Sequence, residues 1–135
     1  MELTYILETM SAEVKGFLYT ALVDMEMAAP IGEISAPGAV VNGLQAATVF
    51  TDMVRNHMKN LECLGDEVMG RTTDIIITTD RYQVIVHPMA DVMCCQVLFL
   101  RNEGSLGFAR ATIQRYSDSI RRAMRGEMVE GMARR

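Results

Sequence analysis

Apolar residues recur every three or four positions in three stretches of the chain, which is the spacing of amphipathic helices. The first stretch is 2–14, and Gly16 follows it where a left-handed residue commonly ends a helix. The second and longest is 43–64, closed by Gly65, and the third begins near Ser105, a favourable N-cap residue. The apolar stripe of the long helix consists of Ala47, Phe50, Val54, Met58 and Leu61.

Between these helices, short runs of β-branched, aromatic and other apolar residues predict five strands. Asp80 and Arg81 stand in a hairpin position between the third and fourth strands, and Pro88 is expected to end the fourth. The third strand contains three consecutive isoleucines and is expected to lie at a sheet edge. The predicted strands are 17–23, 31–35, 73–79, 82–87 and 94–100.

The resulting order, α-β-β-α-β-β-β-α, predicts an α+β fold in which helices pack on the faces of one antiparallel sheet. The length of 135 residues suits one domain, which we expect to span 2–125. The segment 126–135 has no durable pattern, and we expect it to be a frayed C-terminal tail.

Composition adds that the protein is an ordinary globular chain, 50% hydrophobic and 22% charged. No uncharged apolar run is long enough for a membrane span, and acidic residues stand where a secretory leader would carry basic ones, so we expect a cytoplasmic protein without membrane insertion. Three cysteines, two of them adjacent, are expected to be reduced thiols.

The charge is unevenly distributed along the chain. Residues 1–100 carry 5 basic and 13 acidic side chains, whereas residues 101–135 carry 8 basic and 4 acidic ones. A basic segment on an acidic body with a pI of about 5.1 differs from a nucleic-acid-binding domain, which is basic as a whole. We therefore expect a solvated helix face and no nucleic-acid partner.

Two local patterns resemble sites but lack the context that the chemistry needs. The segment 65–72 has the spacing of a phosphate-binding loop, but Arg71 replaces the lysine of that motif. Asp66 and Glu67 would repel phosphate, and the segment follows a helix and enters a strand, which is the reverse of the order that phosphate binding needs. His87 and Cys94 flank one turn, yet two ligands are too few for zinc. Cys94 and Cys95 lie in an apolar strand that disfavours a thiolate. We expect no catalytic residues, no metal, no cofactor and no enzymatic activity.

Methionine is abundant, with 12 residues, and its flexible thioether suits either core packing or an adaptable protein-binding surface. The long helix favours the second use, because its apolar stripe is wider than one sheet face would cover. Surplus apolar surface of this kind indicates a partner. The residues that widen the stripe are Val49, Met53, His57 and Leu64.

The sequence resembles the roadblock family, which includes roadblock-type dynein light chains and bacterial and archaeal regulators of Ras-like GTPases. The resemblance covers about 2–125 and is carried by IIITTDRYQVIVHP at 75–88, LFL at 98–100 and NEGSLGFAR at 102–110. The chain departs from the family at 25–30, where a longer connection without glycine replaces a tight turn between the first two strands.

This resemblance implies a longin-like fold, with the long helix on one sheet face and the other two helices on the opposite face. It also implies a homodimer in which the third strands pair and the long helices pack together. Two functions then remain open: a non-enzymatic regulator that binds a Ras-like small GTPase, or a passive scaffold that uses the same dimer. The expected dimer-interface residues are Phe50, Val54, His57, Met58, Leu61, Ile75 and Ile77; the residues that contact another partner are unknown.

Overall fold

The computed structural model describes residues 2–133, with side chains described for 2–126. It contains the predicted order of elements plus a short α-helix after the long one and a 3₁₀ turn at Ala90–Val92. The helices are α1 (Leu3–Glu13), α2 (Gly43–Leu64), α3 (Asp66–Met69) and α4 (Leu106–Ala133), and the strands are β1 (Phe17–Asp24), β2 (Ala29–Ser35), β3 (Ile75–Thr78), β4 (Tyr82–Met89) and β5 (Cys94–Arg101).

The five strands form one antiparallel sheet with the spatial order β2-β1-β5-β4-β3. This confirms the α+β class, the antiparallel sheet and the placement of the isoleucine-rich strand β3 at an edge. β5, the last strand in sequence, lies at the centre because it pairs with both β1 and β4. The hairpin at Asp80 and Arg81 is also confirmed, since Thr79 and Tyr82 close it through a 2.9 Å backbone hydrogen bond.

The two faces of the sheet are covered as the resemblance implied. On one face, α2 buries Ala47, Phe50 and Val54 against alternate residues of β1, β4 and β5. On the other face, α1 and α4 bury Met10, Ile113 and other apolar residues against the alternating set. Two cores therefore lie back to back across one sheet, which is how a strand can be buried on both sides.

Three details correct the sequence-based boundaries. The connection after α2 contains α3, which begins directly after Gly65 and has no buried residue to reveal it. β4 continues through Pro88 to Met89, because β3 pairs only as far as Val86 and leaves the edge beside the proline open. α4 continues through Ala133, while residues 134 and 135 of the expected tail lie outside the described residues; the domain boundary at 125 stays a prediction.

The connection between β1 and β2 turns without glycine by using the Asp24 side chain and a left-handed alanine. Asp24 Oδ1 accepts hydrogen bonds from the backbone N–H groups of Glu26, at 2.9 Å, and Met27, at 3.4 Å. Ala28 then has φ 51°, a conformation that alanine adopts only at a cost. This strained residue brings the chain back in register, so that Asp24 pairs with Ala29.

Glycines at 16 and 104 allow the end of α1 to approach the start of α4. Gly16 has φ +79°, as its position after the first helix predicted. A Cβ at Gly104 would lie 2.5 Å from the carbonyl oxygen of Lys15, closer than any side chain tolerates. The two connections therefore pack backbone against backbone, which no larger residue at 104 would permit.

Candidate functional site

The seven expected interface residues divide into two groups. Phe50 and Val54 face the sheet: Val54 is 1% exposed, and the Phe50 ring contacts Phe99 edge to face at 5.7 Å between centroids. These two side chains hold α2 on its own sheet. The other five, His57, Met58, Leu61, Ile75 and Ile77, are half-buried, and the assignment of the seven to a dimer interface stays a prediction.

A second apolar stripe runs along one flank of α2. Successive helix residues are turned by about 100°, so Val49, Met53 and His57 share one arc of roughly 80° beside the sheet-facing stripe. Val49 is half exposed, and Met53 and His57 are half-buried. We call this surface the α2 flank; its members are Ala46, Val49, Met53, His57 and Leu64.

The α2 flank faces the β3 edge of the sheet. His57 Nε2 lies 3.0 Å from Thr72 Oγ1, in the linker that leads into β3. On the other side of α2, Arg55 donates a hydrogen bond to the carbonyl of Met25, in the turn beside β2. Ile75 and Ile77 of the edge strand β3 are half-buried and pack against the same core cluster as Met53 of the flank.

An open cleft of about 1180 Å³ lies at the C-terminal end of α2. Met58 and Leu61 form part of its wall, and the linker 70–73 and the end of β4 close the other sides. Its charged residues are of both signs, Glu62, Asp66, Asp91, Arg71 and Arg121, so the cleft presents no uniform field to an anion or a cation.

His87, at the rim of this cleft, belongs to a buried polar cluster that no sequence pattern indicated. Its Nδ1 lies 2.8 Å from the carbonyl oxygen of Thr73 and 3.1 Å from Asp74 Oδ1, so Nδ1 is the donor in both contacts. Ser117 Oγ lies 3.5 Å from Nε2 and also accepts a hydrogen bond from Arg121. The order Asp–His–Ser resembles a nucleophilic triad. The Ser117 contact is long and its side chain is only 5% exposed, so the cluster joins the linker, β4 and α4 and does not offer the hydroxyl to a substrate.

The other candidate sites are separated or buried. In the sheet His87 pairs with Gln96, whereas Cys94 pairs with Met89. Burial raises the pKa of the Cys94 thiol to about 11, with nearby carboxylates adding to the shift, and burial raises the pKa of Cys95 to about 12. Within the described part of the chain, no three His, Cys, Asp or Glu side chains are grouped so that they could hold a metal ion.

The basic C-terminal segment finds its acidic partners within the same chain. Arg110 pairs with Asp74, Arg115 with Glu13 at 2.9 Å, and Arg121 with Asp91 at 3.0 Å. Arg125 also reaches Asp91, at 3.4 Å, and Arg122 donates to the carbonyl of Asp118. Much of the charge asymmetry along the sequence is therefore neutralised by acidic residues of α1, of the linker before β3 and of the β4–β5 connection. No helix over residues 2–133 has the length and apolar character needed to cross a membrane.

Comparison with known proteins gives no match by sequence, either to a family model or to a curated protein. Experimental structures do match. A Roadblock/LC7 domain from Streptomyces avermitilis has TM-score 0.76 and 12% identity, over 90% of this chain and 96% of that chain. The gliding protein MglB from Thermus thermophilus has TM-score 0.78 and 18% identity, over 92% and 89%. A structure described as MglB with tetrameric arrangement has TM-score 0.79 and 18% identity, over 92% and 88%.

These matches extend over about nine-tenths of the chain, and they agree with the five-stranded antiparallel sheet and the helical layers found above. The chain has the roadblock fold.

Proposed function

We propose that the protein is a non-enzymatic, homodimeric regulator that binds a Ras-like small GTPase and modulates its nucleotide cycle. One observation carries the proposal: the apolar α2 flank reaches the linker into β3 through His57, and the edge strand β3 packs its isoleucines on the same core as that flank. A bare edge strand with apolar neighbours is a liability that a second copy removes by pairing. The tetrameric arrangement described for one MglB structure is in keeping with a fold that self-associates.

A second copy related by a two-fold axis through the β3 edge would extend the sheet and place the two α2 flanks together. Each flank would then meet its own counterpart, as a two-fold interface requires. Val49, Met53 and His57 follow one another at intervals of four positions, which forms a ridge that can pack against a second helix along such a seam. Phe50 and Val54 remain in the core of each copy and support this contact from beneath.

A GTPase would be regulated through differential binding. The thiols of Cys94 and Cys95 and the hydroxyl of Ser117 are buried, away from a docked partner. A partner without a reacting group shifts a GTPase only by binding its two nucleotide states with unequal affinity. The regulator would act in the cytoplasm, on the composite surface that the dimer creates.

The test is capture of a Ras-like GTPase encoded beside this protein, loaded with GDP or with a non-hydrolysable GTP analogue. We expect the immobilised wild-type protein to retain one form at least about tenfold better than the other. Leu64→Glu, on the exposed end of the α2 flank, should reduce capture, and Gln114→Glu, exposed on α4, is the matched control. Equal capture of both forms would contradict the regulator and leave the scaffold.

A further inference from the structure

Two further surfaces, one of them continuous with the Leu64 end of the α2 flank, are exposed, apolar and opposite in charge. The first, which we call the corner groove, is a depression of about 310 Å³ on the α2 face of the sheet, where α2 does not reach. Val40, at its mouth, is 98% exposed, and Arg101 lines it. Arg81, also exposed, directly precedes the groove residue Tyr82. The groove is lined by Leu18, 38–41, Tyr82, Phe99 and Arg101.

The second surface, which we call the tip, is the end of α2 together with α3. Val68 is 80% exposed, and Leu64 and Met69 are also more than half exposed. Three exposed carboxylates, Glu62, Asp66 and Glu67, lie among them. Gly65 and Gly70, both with positive φ, bracket α3 and turn it away from the line of α2. The tip is thus a short apolar projection with an acidic border, whereas the corner groove is an apolar depression with a basic border.

A chain cannot place its own tip in its own groove. The groove lies at the Tyr82 end of β4, whereas α2 ends near His87 and Pro88, at the other end of that strand. Six residue steps of extended strand, from Tyr82 to Pro88, separate the two places by about 20 Å. The tip of one molecule therefore needs the groove of another.

A two-fold axis through the β3 edge supplies that second molecule. Antiparallel pairing of two copies of β3 reverses the direction of the sheet between them, so the His87 end of one copy lies beside the Tyr82 end of the other. Both surfaces lie on the side of the sheet that carries α2, since Leu18 and Phe99 belong to the core beneath that helix. The axis therefore places the tip of each copy on the same side as the groove of the other, which gives two equivalent tip–groove pairs in the dimer.

We propose that the tip of each copy docks in the corner groove of a second copy, with Val68 and Met69 against Val40, Tyr82 and Phe99, and with Asp66 and Glu67 facing Arg81 and Arg101. This inference rests on the proposed homodimer and adds to it a second specific contact, between tip and groove, which we call the lock. It gives α3 a role, because a turn of helix with none of its own residues buried contributes little to the fold of one chain. The lock also explains why Val40, in the apolar segment 38–41, is 98% exposed in a single copy.

The test is a charge exchange followed by sedimentation equilibrium at several protein concentrations. One variant carries Asp66→Arg and Glu67→Arg, and a second carries Arg81→Glu and Arg101→Glu. Each reversal places like charges face to face in the lock, so we expect the dimer dissociation constant to rise by about tenfold or more. A third variant with all four changes restores opposite charges and should dimerise nearly as the wild type does.

The control for charge alone is Glu2→Arg with Glu8→Arg, two exposed positions at α1, which should leave the dimer unchanged. Reversals that leave the wild-type dimer constant, or that weaken it without recovery in the four-residue variant, would overturn the docking while the homodimer stands. A wild-type protein that is monomeric at micromolar concentration would overturn both. Reversals that abolish only GTPase capture would assign these surfaces to that partner and likewise overturn the lock.

Discussion

His87 and Asp74 join the edge of the sheet to the linker before β3: the imidazole Nδ1 lies 3.1 Å from one oxygen of a carboxylate whose side chain is 3% exposed. The second oxygen accepts from Arg110 Nε, also at 3.1 Å, so one carboxylate holds groups from β4 and α4. The linker has few apolar contacts of its own. This cluster is therefore what positions the start of β3, and with it the edge on which dimerisation is proposed to depend.

We predict that Asp74→Ala lowers the free energy of unfolding by about 1–3 kcal/mol, because it removes the acceptor of two buried or partly buried hydrogen bonds, one of them from a charged group. Urea denaturation at fixed protein concentration measures the loss. The matched control is Glu13→Ala, which removes the exposed ion pair with Arg115 and should cost less than about 1 kcal/mol. Equal losses in the two variants would contradict the bracing role of Asp74.

We predict that Ala28→Gly stabilises the protein by up to about 1 kcal/mol, because glycine adopts φ 51° without the steric cost that alanine incurs. Part of that gain is offset, since glycine also makes the unfolded chain more flexible. The neighbouring substitution Ala29→Gly, in ordinary strand conformation, carries only the flexibility penalty and should destabilise. A decrease in the thermal midpoint for both variants would show that the turn is not strained.

We predict that a thiol reagent at pH 8 modifies one cysteine per folded chain and three per denatured chain. Cys63 is exposed on α2, whereas Cys94 and Cys95 are buried and their pKa values are raised to about 11 and about 12. The reactive species is the thiolate, which burial disfavours at both sites. Cys63→Ser should abolish the reaction of the folded protein, and rapid modification that persists in this variant would contradict the prediction.

The raised pKa values of Cys94 and Cys95 also predict that the folded protein loses stability as the pH becomes alkaline. Below the ordinary thiol pKa of about 8.5, both thiols are protonated in the folded and in the unfolded chain. Their full contribution to the free energy of unfolding is then present. As pH rises towards 11 and 12, the unfolded thiols ionise first, so the folded state is progressively disfavoured. The urea midpoint should fall across this range, and it should fall less steeply in Cys95→Ala.

We predict that Val49→Glu weakens the dimer while the chain stays folded. Val49 is half exposed on the α2 flank, so a carboxylate there is tolerated in one chain but is brought against its own copy across a two-fold axis. Thr48→Glu adds the same charge one residue earlier, turned by about 100° away from the flank, and should leave the dimer intact. Sedimentation equilibrium distinguishes the two, and equal weakening would place the interface elsewhere on α2.

Local patterns in the sequence determined the element order and several of the boundaries. Gly65 ended α2, as expected, and Gly16 follows α1 with the positive φ that its position predicted, because glycine adopts positive φ without steric cost. The isoleucine run predicted an edge strand, and Asp80 and Arg81 predicted a hairpin. Each of these depends on neighbours within a few residues, so one sequence is enough to specify it.

Tertiary structure alone decided which apolar residues remain available for a partner. Periodicity showed that α2 is apolar over a wide arc, but not that the sheet covers Phe50 and Val54 and leaves Val49 and Met53 at the border. That division depends on where the helix axis crosses the strands. The pairing of Arg110 with Asp74, 36 residues away, and the central position of β5 likewise arise from contacts between distant segments. Such contacts form only when the two cores are packed, and no local pattern in the chain specifies them.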